Sequence, residues 1–141
     1  MPARSVRVGR SATGLGLFAV RPLAQRATIA TYRGKRIATA EAQRRERRFG
    51  ARYMFEIDRR WTIDGSSRRN LGRYLNHSCA PNAEAVLRAG KIVFVALRAI
   101  APGEEITYHY GEEYFALYIK PAGCRCAKCM KTSRRRRRKT R

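Results

Sequence analysis

The sequence predicts a single, mainly β domain built from many short strands. Its apolar stretches are short and mostly alternate with polar residues, which is the period of a strand with one buried face. Turn-forming dipeptides separate several of these stretches, and only one segment has the signals of a helix. With 141 residues, the chain is long enough for one hydrophobic core and too short for two.

Seven stretches are predicted strands, and turn chemistry explains how some of them are joined. Ala89-Gly90 is a tight turn between the last two, and Pro102-Gly103 precedes one further short strand. The seven stretches are Val6–Val8, Gly16–Val20, Thr28–Arg33, Tyr53–Asp58, Trp61–Asp64, Ala83–Arg88 and Ile92–Leu97.

One segment between the strands is predicted to be an α-helix. Thr39 is its predicted N-cap, Glu41 favours its first turn, and the helix is expected to run to about Phe49. Its surface would carry a basic stripe made of Arg44, Arg45, Arg47 and Arg48. A solvated helix face explains this stripe, and contact with nucleic acid is the alternative.

The chain has an extreme positive charge. Its 32 Lys and Arg residues against 10 Asp and Glu give +22, which favours contact with a polyanion such as nucleic acid. Eight of these positive charges lie in residues 131–141, which lack apolar residues and are therefore predicted to form a disordered basic tail. For the tail, nucleic-acid binding is favoured, whereas an arginine-rich proteome explains the remaining charge equally well. No stretch approaches the ~18 apolar residues of a membrane span, so no membrane partner is expected.

Four cysteines form a second distinctive pattern. Cys124, Cys126 and Cys129 crowd together near the C-terminus, and Cys79 lies far upstream. A Zn²⁺ ion accepts four thiolates in a closed structural site, and it would join the C-terminal segment to the segment around Cys79. Two disulfides or free thiols are the alternatives. Zinc is favoured because no apolar run follows Met1–Arg4 in the manner of a signal peptide, so an oxidising compartment is not indicated.

Three separated segments carry polar residues that a β core does not require. They are residues 14–19, 73–82 and 103–110, and the second contains the run Asn76-His77-Ser78-Cys79-Ala80-Pro81-Asn82. Their order and spacing, together with the cysteine pattern, resemble the SET-domain protein lysine methyltransferases with a post-SET zinc segment. The resemblance implies a SET-domain (β-clip) fold of several small sheets with a knot-like C-terminal segment. The implied limits are 5–119 for the SET domain, 120–130 for the post-SET zinc-binding segment and 131–141 for the tail.

The resemblance implies S-adenosylmethionine as the cofactor. Asn76 and His77 match the family residues that hold its methionine and adenine ends, although a buried histidine satisfied by the backbone is the alternative for His77. The family's Gly-x-Gly turn lets the backbone approach the cofactor, because glycine has no side chain to hold a ligand away. The residues expected to line the cofactor are Gly14, Leu15, Gly16, Arg73, Tyr74, Asn76 and His77.

The resemblance also implies which tyrosines serve methyl transfer. Tyr110 matches the family's catalytic tyrosine, and Tyr53 resembles a tyrosine that lines the lysine channel and hydrogen-bonds the acceptor amine. Tyr114 stands where related enzymes carry an aromatic residue that limits the number of methyl groups, with Phe115 as the alternative equivalent. Monomethylation is therefore the expected main product, with dimethylation as a second product.

Two features depart from the family pattern, and one feature concerns the substrate. His109 replaces the acidic residue usual before the catalytic tyrosine, and only two residues separate Cys126 from Cys129 instead of the usual four. Four of the ten acidic residues flank Tyr110, and they are Glu104, Glu105, Glu112 and Glu113. They would form an acidic rim that attracts a basic peptide, and a solvated turn explains them equally well.

The expected function is methylation of a lysine side chain in a basic protein, such as a histone or a histone-like protein. A zinc-stabilised nucleic-acid-binding module that has the SET fold without catalysis is the alternative. The compact length suggests a prokaryotic enzyme in the cytoplasm or nucleoid, and a eukaryotic one would lie in the nucleus. The substrate protein, the target lysine and the oligomeric state do not follow from the sequence.

Overall fold

The computed structural model describes residues 4–50 and 52–139, and it confirms a mainly β domain of several small sheets. The strands in these residues are β1 (Val6–Ser11), β2 (Gly14–Ala19), β3 (Thr28–Thr31), β4 (Lys35–Ala38), β5 (Met54–Glu56), β6 (Trp61–Asp64), β7 (Asn76–His77), β8 (Ala83–Arg88), β9 (Lys91–Ala96) and β10 (Glu105–Tyr108). The α-helices are α1 (Thr39–Phe49), α2 (Glu112–Tyr114) and α3 (Ala127–Lys139). All seven predicted strands are present with small shifts at their ends.

The strands form one four-stranded and two three-stranded sheets. The first has the order β1-β2-β10-β7, the second β3-β9-β8 and the third β4-β6-β5. β7 and β10 run parallel, with Asn76 opposite Thr107 and His77 opposite Tyr108, whereas the other pairings are antiparallel. The parallel pair matters most for the site, because it brings residues 76–77 beside the end of β10.

A single apolar core joins the sheets. Its centre consists of side chains that are at most 1% exposed, namely Leu17, Leu75, Phe94, Ile100 and Ile106. Asn70 is also fully buried, and its side chain accepts from the N–H groups of Arg33 and Gly72 and donates to the Gly65 carbonyl. These bonds hold the 3₁₀ turn Leu71–Tyr74 that leads into β7.

The predicted hairpin turn is confirmed, but the predicted helix cap is wrong. Ala89 and Gly90 both have positive φ, 48° and 76°, as a two-residue hairpin turn between β8 and β9 requires. Ala38 is the N-cap of α1 and makes no side-chain cap bond, and Thr39 is the first helical residue. The Thr39 hydroxyl lies 2.9 Å from the Thr62 hydroxyl and 3.1 Å from the Asp58 carbonyl, so it fastens the helix to β6 instead.

Residues 131–139, which belong to the segment predicted to be disordered, are helical in the structure and form most of α3. Arginine, lysine and methionine are good helix formers, and basic residues in a last turn interact favourably with the helix dipole. The Met130 N–H donates to the Cys126 carbonyl at 3.0 Å and starts the helix at the cysteine cluster. Residues 140 and 141 lie outside the described residues. No helix in the described parts of the chain is both long and apolar enough to cross a bilayer.

Candidate active site

Tyr110 is held between β7 and the end of β10 by two hydrogen bonds. Its backbone N–H donates to Nδ1 of His77 at 3.1 Å, and its hydroxyl donates to the Leu75 carbonyl at 2.6 Å. Burial raises the pKa of Tyr110, and the neighbouring Tyr114 and Tyr53 raise it further. The Tyr110 hydroxyl is therefore neutral and has a fixed orientation at physiological pH.

Asn76 connects β7 to the glycine-containing segment at the start of β2. Its carboxamide nitrogen lies 2.9 Å from the Leu15 carbonyl and 2.8 Å from Oε1 of Glu105. A Cβ on Gly16 would lie 2.4 Å from the same Glu105 oxygen, so a larger residue here would displace the Glu105 side chain from Asn76. Gly14 has φ of 119° and open space where a Cβ would point. The segment therefore presents bare backbone next to Asn76.

A small cavity of ≈ 260 Å³ lies beside these residues. Asn76, His77 and Tyr110 form one side of it, Thr13 borders it, and residues 118–126 contribute much of the other side. Its volume is close to the ~300 Å³ at the lower end of sites that enclose small molecules. The cavity is an open depression between the β7 segment and the C-terminal segment.

A larger cleft of ≈ 660 Å³ lies on the other side of Tyr110. Tyr53, Tyr110, Tyr114 and Tyr118 contribute to its lining, and Tyr110 and Tyr118 also line the small cavity. The ring centroids of Tyr110 and Tyr114 are 5.4 Å apart, and those of Tyr114 and Tyr118 are 4.8 Å apart. A wall of aromatic rings thus separates the two cavities, with Tyr110 exposed to both.

The backbone around Tyr53 is strained. Its φ is 59°, which is unusual for a bulky residue, and its carbonyl accepts from the Tyr32 hydroxyl at 2.7 Å. The Arg73 guanidinium lies over the Tyr53 ring, 4.1 Å from its centroid. The positive φ, the buried Tyr32 and Arg73 together fix where the Tyr53 ring enters the cleft.

Arg73 and Tyr74, which the sequence resemblance assigns to the cofactor, do not line the small cavity. Arg73 lines the large cleft rather than the small cavity, and Tyr74 lines neither, with its hydroxyl 3.4 Å from the Arg68 carbonyl. The predicted residues that line the small cavity are Asn76, His77 and Tyr110. Gly14, Leu15 and Gly16 do not line it, and only the Leu15 carbonyl contacts Asn76.

His109 and Phe115 pack against His77 on the side away from the cleft. Ring centroids of Phe115 and His77 are 5.3 Å apart, and those of His109 and His77 are 4.6 Å apart. Nδ1 of His109 accepts from the Gly111 N–H at 2.9 Å, so the histidine holds the turn after Tyr110. Tyr114 lines the large cleft and Phe115 does not, which favours Tyr114 as the residue next to an acceptor amine.

All four cysteines meet in one cluster, with their sulfur atoms within 4.8 Å of one another. Sγ of Cys79 lies 3.8 Å from that of Cys124 and 3.7 Å from that of Cys129. Zinc–sulfur bonds of ~2.3 Å in a tetrahedron place sulfur atoms roughly 3.8 Å apart, whereas a disulfide needs ~2.05 Å. The geometry is therefore that of a four-thiolate metal site.

The sulfur of Cys126 is prepared to be a thiolate. It accepts the Cys79 N–H at 3.5 Å. Burial acts to raise the pKa of Cys126, but hydrogen bonds from the N–H groups of Cys79 and Cys129 outweigh it and lower that pKa to about 6. A metal ligand must be deprotonated, so this environment suits a metal-bound thiolate.

The expected acidic rim is wrong for two of its four members. Glu104 pairs with Arg98 at 2.9 Å, and Glu105 contacts Asn76, so neither lines the large cleft. The acidic residues that do line it are Glu46, Glu56, Glu112 and Glu113. Burial raises the pKa of Glu46, and the carboxylates of Glu56 and Glu113 raise it further, so these three groups share one negative field.

Glu46 and Glu56 were not predicted as site residues, because they lie far from Tyr110 along the chain. Tyr118 was also missed, although a signal was present. Tyr110, Tyr114 and Tyr118 recur every four residues, which is the spacing of one helical face.

A sequence model of the SET domain matches residues 14–111. A "Histone-lysine N-methyltransferase, H3 lysine-4 specific" from Saccharomyces cerevisiae is 38% identical over 104 residues, which cover 67% of this chain and 10% of the yeast protein. A histone-lysine N-methyltransferase from Dictyostelium discoideum is 37% identical over 126 residues, 83% of this chain and 8% of its own length. The chain therefore spans about a tenth or less of these relatives.

Solved structures show the same fold. A Chaetomium thermophilum polycomb repressive complex 2 in an autoinhibited conformation bound to S-adenosylmethionine superposes with a TM-score of 0.70 and 31% identity, over 78% of this chain and 15% of that one. An active polycomb repressive complex 2 in the basal state gives a TM-score of 0.70 and 30% identity, over 78% of this chain and 16% of that one.

Proposed function

Because this chain belongs to the SET-domain family, we propose that it transfers a methyl group from S-adenosylmethionine to the side-chain amine of a lysine in a basic protein. The observation that carries the proposal is the position of Tyr110, whose side chain lines two separate cavities. A methyl transfer in which the two reactants enter from opposite sides needs this arrangement.

The small cavity is proposed to hold the cofactor. Asn76, His77 and Tyr110 line a space of roughly small-molecule size, and the Leu15 carbonyl contacts the Asn76 side chain beside it. A structure similar to this chain is described as bound to S-adenosylmethionine, which supports the same ligand here. When bound, the cofactor supplies an electrophilic methyl group on a sulfonium ion. The proposed site leaves out Arg73 and Tyr74, because neither lines the small cavity.

The large cleft is proposed to deliver the lysine as a neutral amine. Free lysine has a pKa of ~10.4, so a neutral amine at pH 7 costs roughly 4–5 kcal/mol. The aromatic rings of Tyr53, Tyr110 and Tyr114 remove water from the amine, which disfavours the ammonium form. The Tyr110 hydroxyl is held in place by the Leu75 carbonyl and would orient the amine, so catalysis here is mainly orientation.

Tyr114 is proposed to limit the reaction mainly to one methyl group, because its hydroxyl fills space that a second methyl would need. Replacing Tyr114 by phenylalanine is therefore expected to shift the product from monomethyllysine to dimethyllysine by about fivefold or more in their ratio. Mass spectrometry of the modified peptide measures the ratio. Phe115→Leu is the matched control, because Phe115 packs against His77 instead of lining the cleft. A shift with Phe115→Leu and none with Tyr114→Phe would assign the role to Phe115.

The four cysteines are proposed to bind one structural zinc ion. Their sulfur–sulfur distances match a tetrahedral four-thiolate site, and such closed sites stabilise folds rather than catalyse reactions. Cys124 and Cys126 also line the small cavity. A bound ion would therefore hold one wall of the cofactor site.

The substrate is proposed to be a basic protein of the histone or histone-like class. The relatives are named histone-lysine methyltransferases, and four of the ten acidic residues of a chain with a net charge of +22 line the large cleft. Such a protein is associated with nucleic acid, so we place the enzyme at chromatin or at a bacterial nucleoid.

The double variant Glu46→Gln/Glu113→Gln is expected to raise the KM for a basic peptide by about 5–10-fold with little change in kcat. The carboxylates of the cleft attract the basic peptide over a long range but take no part in the methyl transfer itself. The effect should shrink when the salt concentration is raised from about 50 to about 500 mM, because dissolved ions then screen the charges strongly. Glu84→Gln/Glu104→Gln removes the same charge outside the cleft and is expected to leave KM within about twofold. Equal effects of both pairs would show that net charge alone acts.

The full chain, incubated with S-adenosylmethionine and a panel of basic proteins, tests the function by mass spectrometry of modified lysines. We expect methyllysine on at least one protein of the panel. The alternative, a zinc-stabilised nucleic-acid-binding module without catalysis, draws support from the very basic helix α3. It would replace the enzyme if DNA bound tightly while no protein of the panel, and not the chain itself, gained a methyl group.

A further inference from the structure

Helix α3, Ala127–Lys139, is strongly basic, and no residue of it is buried. Eight of its 13 residues are lysine or arginine, none is acidic, and none is buried. Most helices in proteins gain their stability from packing an apolar face, and isolated helices of this length are marginal in water. α3 therefore lacks the usual source of helix stability within the chain.

The charges on α3 also oppose helix formation. Arg134–Arg138 are consecutive, and steps of 100° distribute their side chains around the whole circumference of the helix. Like charges three or four residues apart repel and destabilise a helix. A ligand that brings negative charge along the whole length of α3 would remove this repulsion.

The distribution of apolar residues shows which polyanion fits. A helix that binds a membrane surface needs an apolar face with residues such as leucine or phenylalanine. The apolar residues of α3 are confined to Ala127, Cys129 and Met130, beside the cysteine cluster, and the nine residues after them are all polar or basic. Arginine forms paired hydrogen bonds with phosphate oxygens, so a phosphate backbone suits residues 134–138 better than a lipid surface.

We propose that α3 is a nucleic-acid-binding helix, which binds the phosphates of duplex DNA without sequence preference and gains helicity when it binds. A helix of this length spans about 20 Å and is narrow enough for a major groove ~12 Å wide. The inference is independent of methyl transfer and adds a second activity to the chain.

The location of α3 connects this surface to the site already described. The helix starts directly after Cys126, which lines the small cavity, and contains Cys129 of the same cluster. Nucleic acid on α3 would therefore be held next to the enzyme's reactive centre. A basic protein already bound to the same nucleic acid would then be presented at high local concentration.

The test measures binding of the full, zinc-loaded chain to duplex DNA of arbitrary sequence by fluorescence anisotropy over a range of salt concentrations. The duplex has about 20 base pairs, roughly two helical turns. The variant carries Arg134→Gln, Arg135→Gln, Arg136→Gln, Arg137→Gln and Arg138→Gln, and glutamine keeps the helix propensity. For this variant, the slope of log K against log salt concentration is expected to become less negative by about 4, since five phosphate contacts are lost. Affinity at 100 mM salt should fall by roughly 100-fold or more.

A control variant has the same net charge as the variant with five arginines replaced in α3, but it leaves α3 intact. It replaces five exposed arginines of the folded part by glutamine, namely Arg21, Arg33, Arg59, Arg69 and Arg88. We expect less than a tenfold loss of DNA affinity in this control. Equal losses in both variants would overturn the proposal, because binding would then depend on net charge rather than on α3.

Two further measurements address helix formation and the choice of polyanion. Circular dichroism of the wild type should show added helix on DNA binding, and the arginine variant should not show it. Binding to vesicles of anionic phospholipid should be weaker than binding to DNA at the same salt concentration. Stronger binding to the vesicles, or unchanged helicity in the wild type with DNA bound, would contradict the proposal. Both variants are folded if their zinc content and melting temperature equal those of the wild type.

Discussion

Replacing Tyr110 by phenylalanine is expected to lower kcat for lysine methylation by at least about 100-fold. The substitution removes one hydroxyl, which is held at 2.6 Å from the Leu75 carbonyl on a residue that lines both cavities. Loss of a single well-oriented hydrogen-bonding group in an active site typically costs about 10²–10³ in kcat. The bond between the Tyr110 N–H and His77 is a backbone interaction and is retained.

Phenylalanine keeps the aromatic ring of Tyr110, so Tyr110→Phe should change cofactor affinity and thermal stability little. We expect the Kd for S-adenosylmethionine to stay within about threefold and the melting temperature to fall by only a few degrees, since one hydrogen bond contributes about 1 kcal/mol. Tyr74→Phe is the matched control, because its hydroxyl lies outside both cavities. It should keep at least about half of the wild-type kcat. Full activity of Tyr110→Phe, or an equal loss in Tyr74→Phe, would refute the proposed role of Tyr110.

Replacing Cys124 by serine is expected to remove the metal and to weaken cofactor binding at least about tenfold. A closed four-thiolate site holds its ion through all four ligands, and the ion contributes folding free energy directly. Elemental analysis should show about one zinc per wild-type chain and far less in the variant. The melting temperature is expected to fall by roughly 5–10 °C, and calorimetry with S-adenosylmethionine measures the affinity.

A second cysteine variant separates the effect of the metal from that of a lost wall contact. Cys124 lines the small cavity and Cys129 does not, but both belong to the cluster. Cys129→Ser should therefore weaken cofactor binding to a similar extent. Normal cofactor affinity in metal-free Cys129→Ser would show that the cluster is independent of the cofactor site.

The strands could be predicted from sequence where a short apolar stretch lies between polar or turn residues. β6 and β8 have the predicted bounds for this reason. β4 was missed because Ile37 is its only buried residue, and β7 was missed because it has only two residues and depends on pairing with β10. Sequence patterns record local burial but not pairing with a distant strand.

The site could be predicted where one segment carries the chemistry, and less well where distant segments meet. Asn76, His77 and Tyr110 could be predicted because each belongs to a recognisable motif, and the three adjoin a common cavity. Arg73 was assigned to the cofactor from its closeness to Asn76 in sequence, but the 3₁₀ turn Leu71–Tyr74 directs it to the other cavity. Glu46 enters the cleft from α1, and nothing near it in sequence indicates that placement.

A crystal structure of the chain with S-adenosylhomocysteine and a lysine peptide identified by the methylation assay tests the central claim most directly. The predicted result has the cofactor product in the small cavity and the peptide in the large cleft. The lysine nitrogen should lie within ~3.5 Å of the Tyr110 hydroxyl and point toward the cofactor sulfur. Cofactor bound away from Asn76 and His77, or a lysine that enters the site without approaching Tyr110, would contradict the account.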